Sequence, residues 1–345
     1  MNIWQKSSTR ISLNKPKHGG IAVLFAVLCA LLLASFLCAL AFGSTPLDLL
    51  RGIGDLLRGD TSSPDGRILL YIRLPRACAA VLAGAALAVA GVIIQAVLHN
   101  PMAAPNVIGV NSGAGLGAVL MLAVFPSALS FLPLAAFVGA MVTCLCIYAI
   151  SARTGADRMT VTLVGIAVAS LLNAAINTVK ILYPDSVYDA DSFMIGGFSG
   201  VTFSRLFPAG MIILGGLLVA CFFAWEMDVL ALGDDTAKSL GVNVKRVQLL
   251  LLLLACALAG GAVSFSGLLG FVGLLVPHLA RRFVGENHRI LVPVSALGGA
   301  VLVLVCDMIS RVLFAPYELP VGILLSFVGG PFFIFLILAG RKRHA

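Results

Sequence analysis

The chain has 345 residues, of which 60% are hydrophobic and only 11% charged, with a mean hydropathy of +1.06. A soluble domain carries roughly a quarter charged residues, so this composition excludes one and places the chain in a membrane. The formal charge of +8 does not indicate nucleic acid, because the basic residues stand at the ends of apolar runs and form no continuous stripe.

A spanning helix needs about 20 mostly apolar residues. Ten runs meet that description: 21–42, 77–98, 107–124, 131–151, 160–182, 206–224, 247–265, 268–284, 290–310 and 319–338. The run 107–124 is Gly-rich, and 268–284 is short and contains Pro277 and His278. The first run outlasts the apolar core of a signal peptide, about 7–15 residues. The organisation expected is a tail (1–20), a ten-helix membrane domain (21–338) and a basic tail (339–345). All eight cysteines fall in or beside apolar segments and none forms a CxxC pair. They read as small hydrophobes without a disulfide framework.

Lys and Arg placement sets the orientation. With the N-terminus inside, fifteen basic residues lie on the cytoplasmic side and eight on the other, which favours cytoplasmic N- and C-termini. The segment 228–246 then faces the cytoplasm. Its polar part, LGDDTAKSLGVNVKR (232–246), is longer than a loop between two spans requires. Gly233-Asp234-Asp235-Thr236 reads as a helix cap with acids in the first turn, and Lys238 sits nearer the end that prefers positive charge. A polar helix here suggests a surface for another protein to grip.

On the outer side, Arg73 and Arg76 stand in RLPR at the entry to the second span, with Pro75 suited to a helix start. The long side chains either snorkel to the interface or form a cationic patch for a partner's carboxylates, joined by Arg311 and Glu318. Asp307 lies four residues before Arg311, so the two share a helix face and can pair. Gly109, Gly113 and Gly117 form a GxxxG ladder suited to close helix packing. His278 has no second ligand at metal spacing, so no metal site is expected. Phosphate-loop, HExxH, GxSxG and dinucleotide motifs are absent from the sequence. The chain therefore reads as a passageway powered by another polypeptide, without enzymatic activity of its own.

Five stretches carry a family resemblance: RLPR (73–76), GAALAVAGVIIQAVLHNPMAAPNVIGVNSGAGLGA (84–118), LGDDTAKSLGV (232–242), SGLLGFVGLLVPHLARRFVG (266–285) and ELPVGILLSFVGGPFFIFLI (318–337). In that order they resemble the permease subunits of FecCD/BtuC-type ATP-binding-cassette importers for iron–siderophores, haem and cobalamin. The resemblance implies an all-α, ten-helix fold of the type II ABC importer class, in a bacterial inner membrane. It implies a dimer with an identical or homologous permease subunit, with the pathway along the interface and spans five and ten lining it. Leu232, Gly233, Asp234, Asp235, Lys238, Leu240 and Gly241 would couple to a cytoplasmic ABC ATPase. Arg73, Arg76 and Arg311 would dock a periplasmic or lipid-anchored binding protein. Arg158, Met159 and Thr160 would lie at the cytoplasmic gate. ATP would be used by the partner subunit, with no cofactor on this chain and no nucleic acid among its partners. The different-class alternative is a secondary transporter driven by an ion gradient, which needs coupling-ion ligands that the spans scarcely offer.

Overall fold

A computed structural model describes residues 18–45, 47–58, 63–153, 158–313 and 315–341. Among them the regular structure is entirely helical. The helices are α1 (His18–Ala41), α2 (Leu49–Leu57), α3 (Pro64–Ile68), α4 (Leu74–Leu98), α5 (Val110–Val124), α6 (Leu132–Arg153), α7 (Arg158–Leu182) and α8 (Val187–Ile195). They continue as α9 (Phe203–Phe222), α10 (Ala224–Ala231), α11 (Asp234–Ser239), α12 (Val244–Ser266), α13 (Val272–Val284), α14 (His288–Val312) and α15 (Val321–Arg341). Each of the ten apolar runs falls on one of these helices. Seven helices among the described residues are long and apolar enough to cross a bilayer. The apolar stretches of α5 and α15 are shorter, and α13 has only 13 residues. The protein is thus a multi-pass membrane protein.

Helix α4 is the axis of the bundle and is buried almost from end to end, followed by α12 and α14, whereas α1 and α7 lie at the periphery. The sequence of α4 explains why. Its core face is built from Ala79, Ala80, Ala83, Gly84, Ala86, Ala88, Ala90 and Gly91, and small side chains allow neighbouring backbones to approach closely in a medium that supplies no hydrophobic drive between helices. A Cβ on Gly84 would overlap the carbonyl of Gly299 in α14, and one on Gly91 would overlap that of Gly273 in α13. On the other side, Gly113 and Gly117 of α5 lie against Gly139 and Ala135 of α6 in the same manner, while Gly109 caps α5 with a positive φ of 71°.

Three features depart from expectation. Pro75 does not start a helix. The chain is helical without a break from Pro64 to Leu98, and Leu69–Arg73 forms a π turn just before the proline. Pro75 has no N–H for the carbonyl one turn back and its ring crowds that turn, and a widened turn relieves both. Second, a disulfide joins Cys144 on α6 to Cys256 on α12. The expectation that no cysteine pairs is corrected. The packing of α6 on α12 puts the two Cα atoms 6.7 Å apart although 112 residues separate them, and spacing along the chain carries no trace of that. Third, short helices α2, α3, α8 and α10 occupy stretches without a spanning-length apolar run. The segment after α9 breaks at Phe223 and forms two helices, α10 and α11.

Candidate functional site

Polar side chains gather at the two ends of the antiparallel pair α4 and α14. At one end Asp307 is fully buried and its carboxylate is shared by two arginines. Arg76 donates from Nε at 3.0 and 3.2 Å and pairs through Nη2 at 3.0 Å. Arg311 pairs through Nε at 3.1 Å, and its Nη2 donates to Ala39 O at 3.2 Å. Arg73 donates to Leu40 O, Ala41 O and Thr45 O, each at 2.6 Å. The last carbonyls of α1 have no helical partner, and the negative end of the helix dipole favours cations there. Arg73 and Arg311 thus close the end of α1, and Arg311 and Arg76 lock α14 to α4 through Asp307.

Glu318, in the link between α14 and α15, completes the cluster. It accepts from Arg76 Nη1 and from Ser44 Oγ, both at 2.6 Å. Partial burial pushes its carboxyl upward, but these two hydrogen bonds and the charges of Arg76 and Arg311 outweigh it, so the carboxyl titrates below its ordinary value. The side chains expected to form a cationic patch do lie together, below the surface. Arg73 and Arg311 are 3% exposed and Arg76 7%, so they neither snorkel into water nor stand free on the surface. Arg76 and Glu318 do border a cavity of about 370 Å³, together with Arg205, Asp189, Phe198 and Ser264.

At the other end α11 presents Asp235, Thr236, Lys238, Ser239 and Leu240 to solvent, with Lys238 Nζ 3.1 Å from Asp235. Leu232 and Gly241 are exposed as well, whereas Asp234 and Gly233 are half-buried. Ala237 is buried and fastens the helix to the bundle. Helix α10 lies beneath, with Ala224, Met227, Val229 and Leu230 buried. Asp228 of α10 accepts from the backbone N–H of His288 at 2.9 Å and pairs with its Nδ1 at 2.7 Å, capping the start of α14. His99, the left-handed cap that ends α4, bonds Leu230 O through Nε2. One step further in, Gln95 donates to Ala103 O and Gly273 O at 3.1 Å and accepts from Arg281. The sequence singled out α11 but not Asp228, His288, His99 or Gln95. Their one signal is the polar side chain inside or at the edge of an apolar run, as in VIIQAVLHN (92–100).

Between the two ends, three chain breaks meet. Gly197 N–H donates to Ser266 O at 2.7 Å, Leu268 N–H to Phe193 O at 3.1 Å, and Gly322 N–H to Gly196 O at 3.1 Å. These bonds tie α8, the α12–α13 link and the start of α15 into one junction. Phe271, left-handed at φ 65°, lays its ring against Gly329 of α15. A cavity of about 620 Å³ opens beside it, lined by Asn111, Met194, Leu268, Ser326 and Phe327. The side chains of Arg158, Met159 and Thr160 lie outside the described residues, as do both terminal tails apart from their helical ends.

A membrane bundle with a solvent-facing helix pair fastened to its central spans and a breach between its helices is the architecture of a transport subunit. The FecCD transport family model matches residues 31–339. The chain belongs to that family. It is 38% identical over 317 residues to the hemin transport system permease protein HmuU of Yersinia pestis, covering 90% of this chain and 95% of that one. It is 36% identical over 280 residues to the Fe(3+)-citrate import system permease protein YfmE of Bacillus subtilis, covering 80% and 84%. With the Fe(3+) dicitrate transport system permease protein FecD of Escherichia coli it shares 38% over 275 residues, covering 79% and 86%. The structure superposes on a metal-chelate type ABC transporter solved in an inward-facing conformation, with a TM-score of 0.81 and 27% identity over 92% of this chain and 99% of that one.

Proposed function

We propose that this chain is the permease subunit of an importer that moves an iron(III)–siderophore or related iron(III) chelate across a bacterial inner membrane, driven by a separate ABC ATPase. The observation that carries the reading is the α10–α11 pair. It is a polar helix presented to water on a second helix that is bonded to two core spans, which is what an external motor requires of its load. The excess of basic residues on that side supports a cytoplasmic location for it and for both termini. In this reading ten helices span or enter the membrane, α5, α13 and α15 as the short ones. The family resemblance supports a second permease subunit, identical or homologous, and a soluble or lipid-anchored binding protein outside.

The arginine cluster acts on docking from below the surface. Arg76 and Arg311 face the carboxylates Asp307 and Glu318, while Arg73, bonded to backbone carbonyls, adds positive charge beneath the outer end. Such a field raises the encounter rate and orients a partner's acidic groups more than it adds affinity. Chemistry in the covalent sense has no place here. ATP binding and hydrolysis on the motor favour inward and outward arrangements in turn, and the permease responds by differential stabilisation of the two.

Haem is the second reading for the cargo, supported by the 38% identity with a hemin permease across nearly its whole length; cobalamin is a further alternative within the same architecture. The test is uptake into proteoliposomes holding the permease, its ATPase and its binding protein. Ferric citrate, ferric hydroxamate, hemin and cobalamin are supplied in turn. One of the iron compounds should accumulate only with internal-facing ATP and persist with an ionophore present. Uptake that collapses with the ionophore and ignores ATP would make the protein a secondary transporter.

A further inference from the structure

The two polar clusters are joined by the same pair of helices. Helices α4 and α14 are 25 residues each, about 37 Å at roughly 1.5 Å per residue, and they run antiparallel in contact throughout. At their outer ends Arg76 of α4 and Arg311 of α14 share the buried carboxylate of Asp307. At mid-length Gly84 and Gly299 bring the two backbones together with no room for a side chain. At their inner ends each is bonded separately to α10, α14 through His288 to Asp228 and α4 through His99 to Leu230 O. His288 is 3% exposed, so its side of the link is buried, while the Asp228 carboxylate is partly open to solvent. Both links fix the motor-facing side of the subunit, yet neither belongs to the exposed surface that a motor would touch.

We infer that α4 and α14 form one rigid strut that carries motion from the α10–α11 pair to the outer arginine cluster, and that Asp228, His288 and His99 are its inner clamps. They are positioning residues, which act on transport only by keeping α10 registered to the strut. The inference rests on the reading that α11 meets an ATPase. It adds where the displacement goes. Close-packed interfaces shift between discrete arrangements rather than bend, so a strut bonded at both ends passes a displacement at α10 to the region of Arg76 and Glu318. Helix α11 also touches α12 directly and is joined to it by the short Gly241–Asn243 link, a second path that the clamp variants leave intact.

The test measures motion at the outer end while the inner end is driven. Spin labels are introduced through unnatural amino acids, leaving the native cysteines in place, at Val312 on the outer end of α14 and Ile181 on the outer end of α7, both exposed. The distance between them is measured by pulsed EPR in nanodiscs with the ATPase subunit bound, with and without ATP–vanadate. The native chain should show a shift. In Asp228→Ala and His288→Ala the ATPase should still co-purify and hydrolyse ATP, and the shift should be lost. His288→Asn, which keeps a nitrogen near the position of Nδ1, should restore it. His99→Asn, which tolerates left-handed backbone but cannot reach Leu230, should weaken it, and serves if the alanine variants fold poorly. An undiminished shift in all three clamp variants would overturn the strut. Failure of the native chain to hold the ATPase would instead sink the coupling reading, and the strut with it.

Discussion

Asp307 illustrates how much a single buried charge can control. It is fully buried, and two arginines, Arg76 and Arg311, share its single negative charge. Removing one partner of a buried ion pair typically costs about 3–5 kcal/mol, because the survivor keeps its desolvation penalty and loses its compensation. Asp307→Ala is therefore expected to lower the thermal unfolding midpoint in detergent more than any substitution at exposed Asp235. Equal midpoints for the two would show the cluster to be dispensable. Glu318 adds a pH signature. Its carboxyl titrates below its ordinary value when folded, so the stability it contributes is complete above the ordinary glutamate range, about 4.3. That contribution is lost as the pH falls through the folded value. The difference in unfolding midpoint between the native chain and Glu318→Gln should thus be constant from neutral pH into mild acid and vanish in strong acid. A difference that grew on acidification would reverse the assignment.

Among the elements, the glycine contacts are where geometry is least forgiving. A Cβ on Gly84 meets the backbone of Gly299, not a side chain that can turn aside. Overpacking of a tight interface costs about 1–3 kcal/mol, and here the two halves of the central pair must separate to admit even a methyl group. Gly84→Ala should reduce the yield of folded permease and its unfolding midpoint. Gly20→Ala, at a helix site with nothing within 4 Å, should be neutral or slightly stabilising, since alanine loses less backbone entropy in a helix than glycine. The same contrast explains what could be read from the chain. The ten apolar runs found their helices because bilayer thickness imposes a length and composition that no other structure satisfies. The GxxxG ladder of α5 was legible because its period is local. The end of α9 was legible too, since the apolar run stops at 224 where Glu226 and Asp228 follow, but that a separate helix α10 starts there was not. Nor were Gly84–Gly299, Cys144–Cys256 and Asp228–His288, each a meeting of residues distant in sequence whose pairing is decided by the packing. The arginines drew attention because the charge bias disfavours them on the side it assigns to them, but the burial of Arg73 and Arg311 was invisible because α1, whose carbonyls they cap, is distant from both in sequence.

For the whole molecule, the separation of roles along the bundle makes an experiment decisive. Insertion depends on the apolar spans, against which α11 packs only lightly at the start of α12, and folding depends on the α4-centred core, to which α11 contributes only Ala237. Reversing charge at Asp234 and Asp235 therefore should leave both intact. An exposed side chain such as Asp235 usually changes stability by no more than about 0.5 kcal/mol when replaced, and half-buried Asp234 adds a modest cost of its own. Two lysines in the first turn also oppose the helix dipole, a cost of about 0.3–1 kcal/mol each at the surface, which a membrane bundle of this size absorbs. What the double substitution Asp234→Lys with Asp235→Lys removes is the acidic surface that α11 would offer to an ATPase under the proposed function. Membrane abundance and unfolding midpoint are expected to match the native chain, while co-purification of the ATPase and ATP-dependent uptake both fall by at least the tenfold that about 1.4 kcal/mol of lost binding represents. Retained co-purification with retained uptake would remove α11 from the interface. Retained co-purification with lost uptake would leave α11 in contact with the motor and put the acids in transmission, one helix closer to the α4–α14 strut.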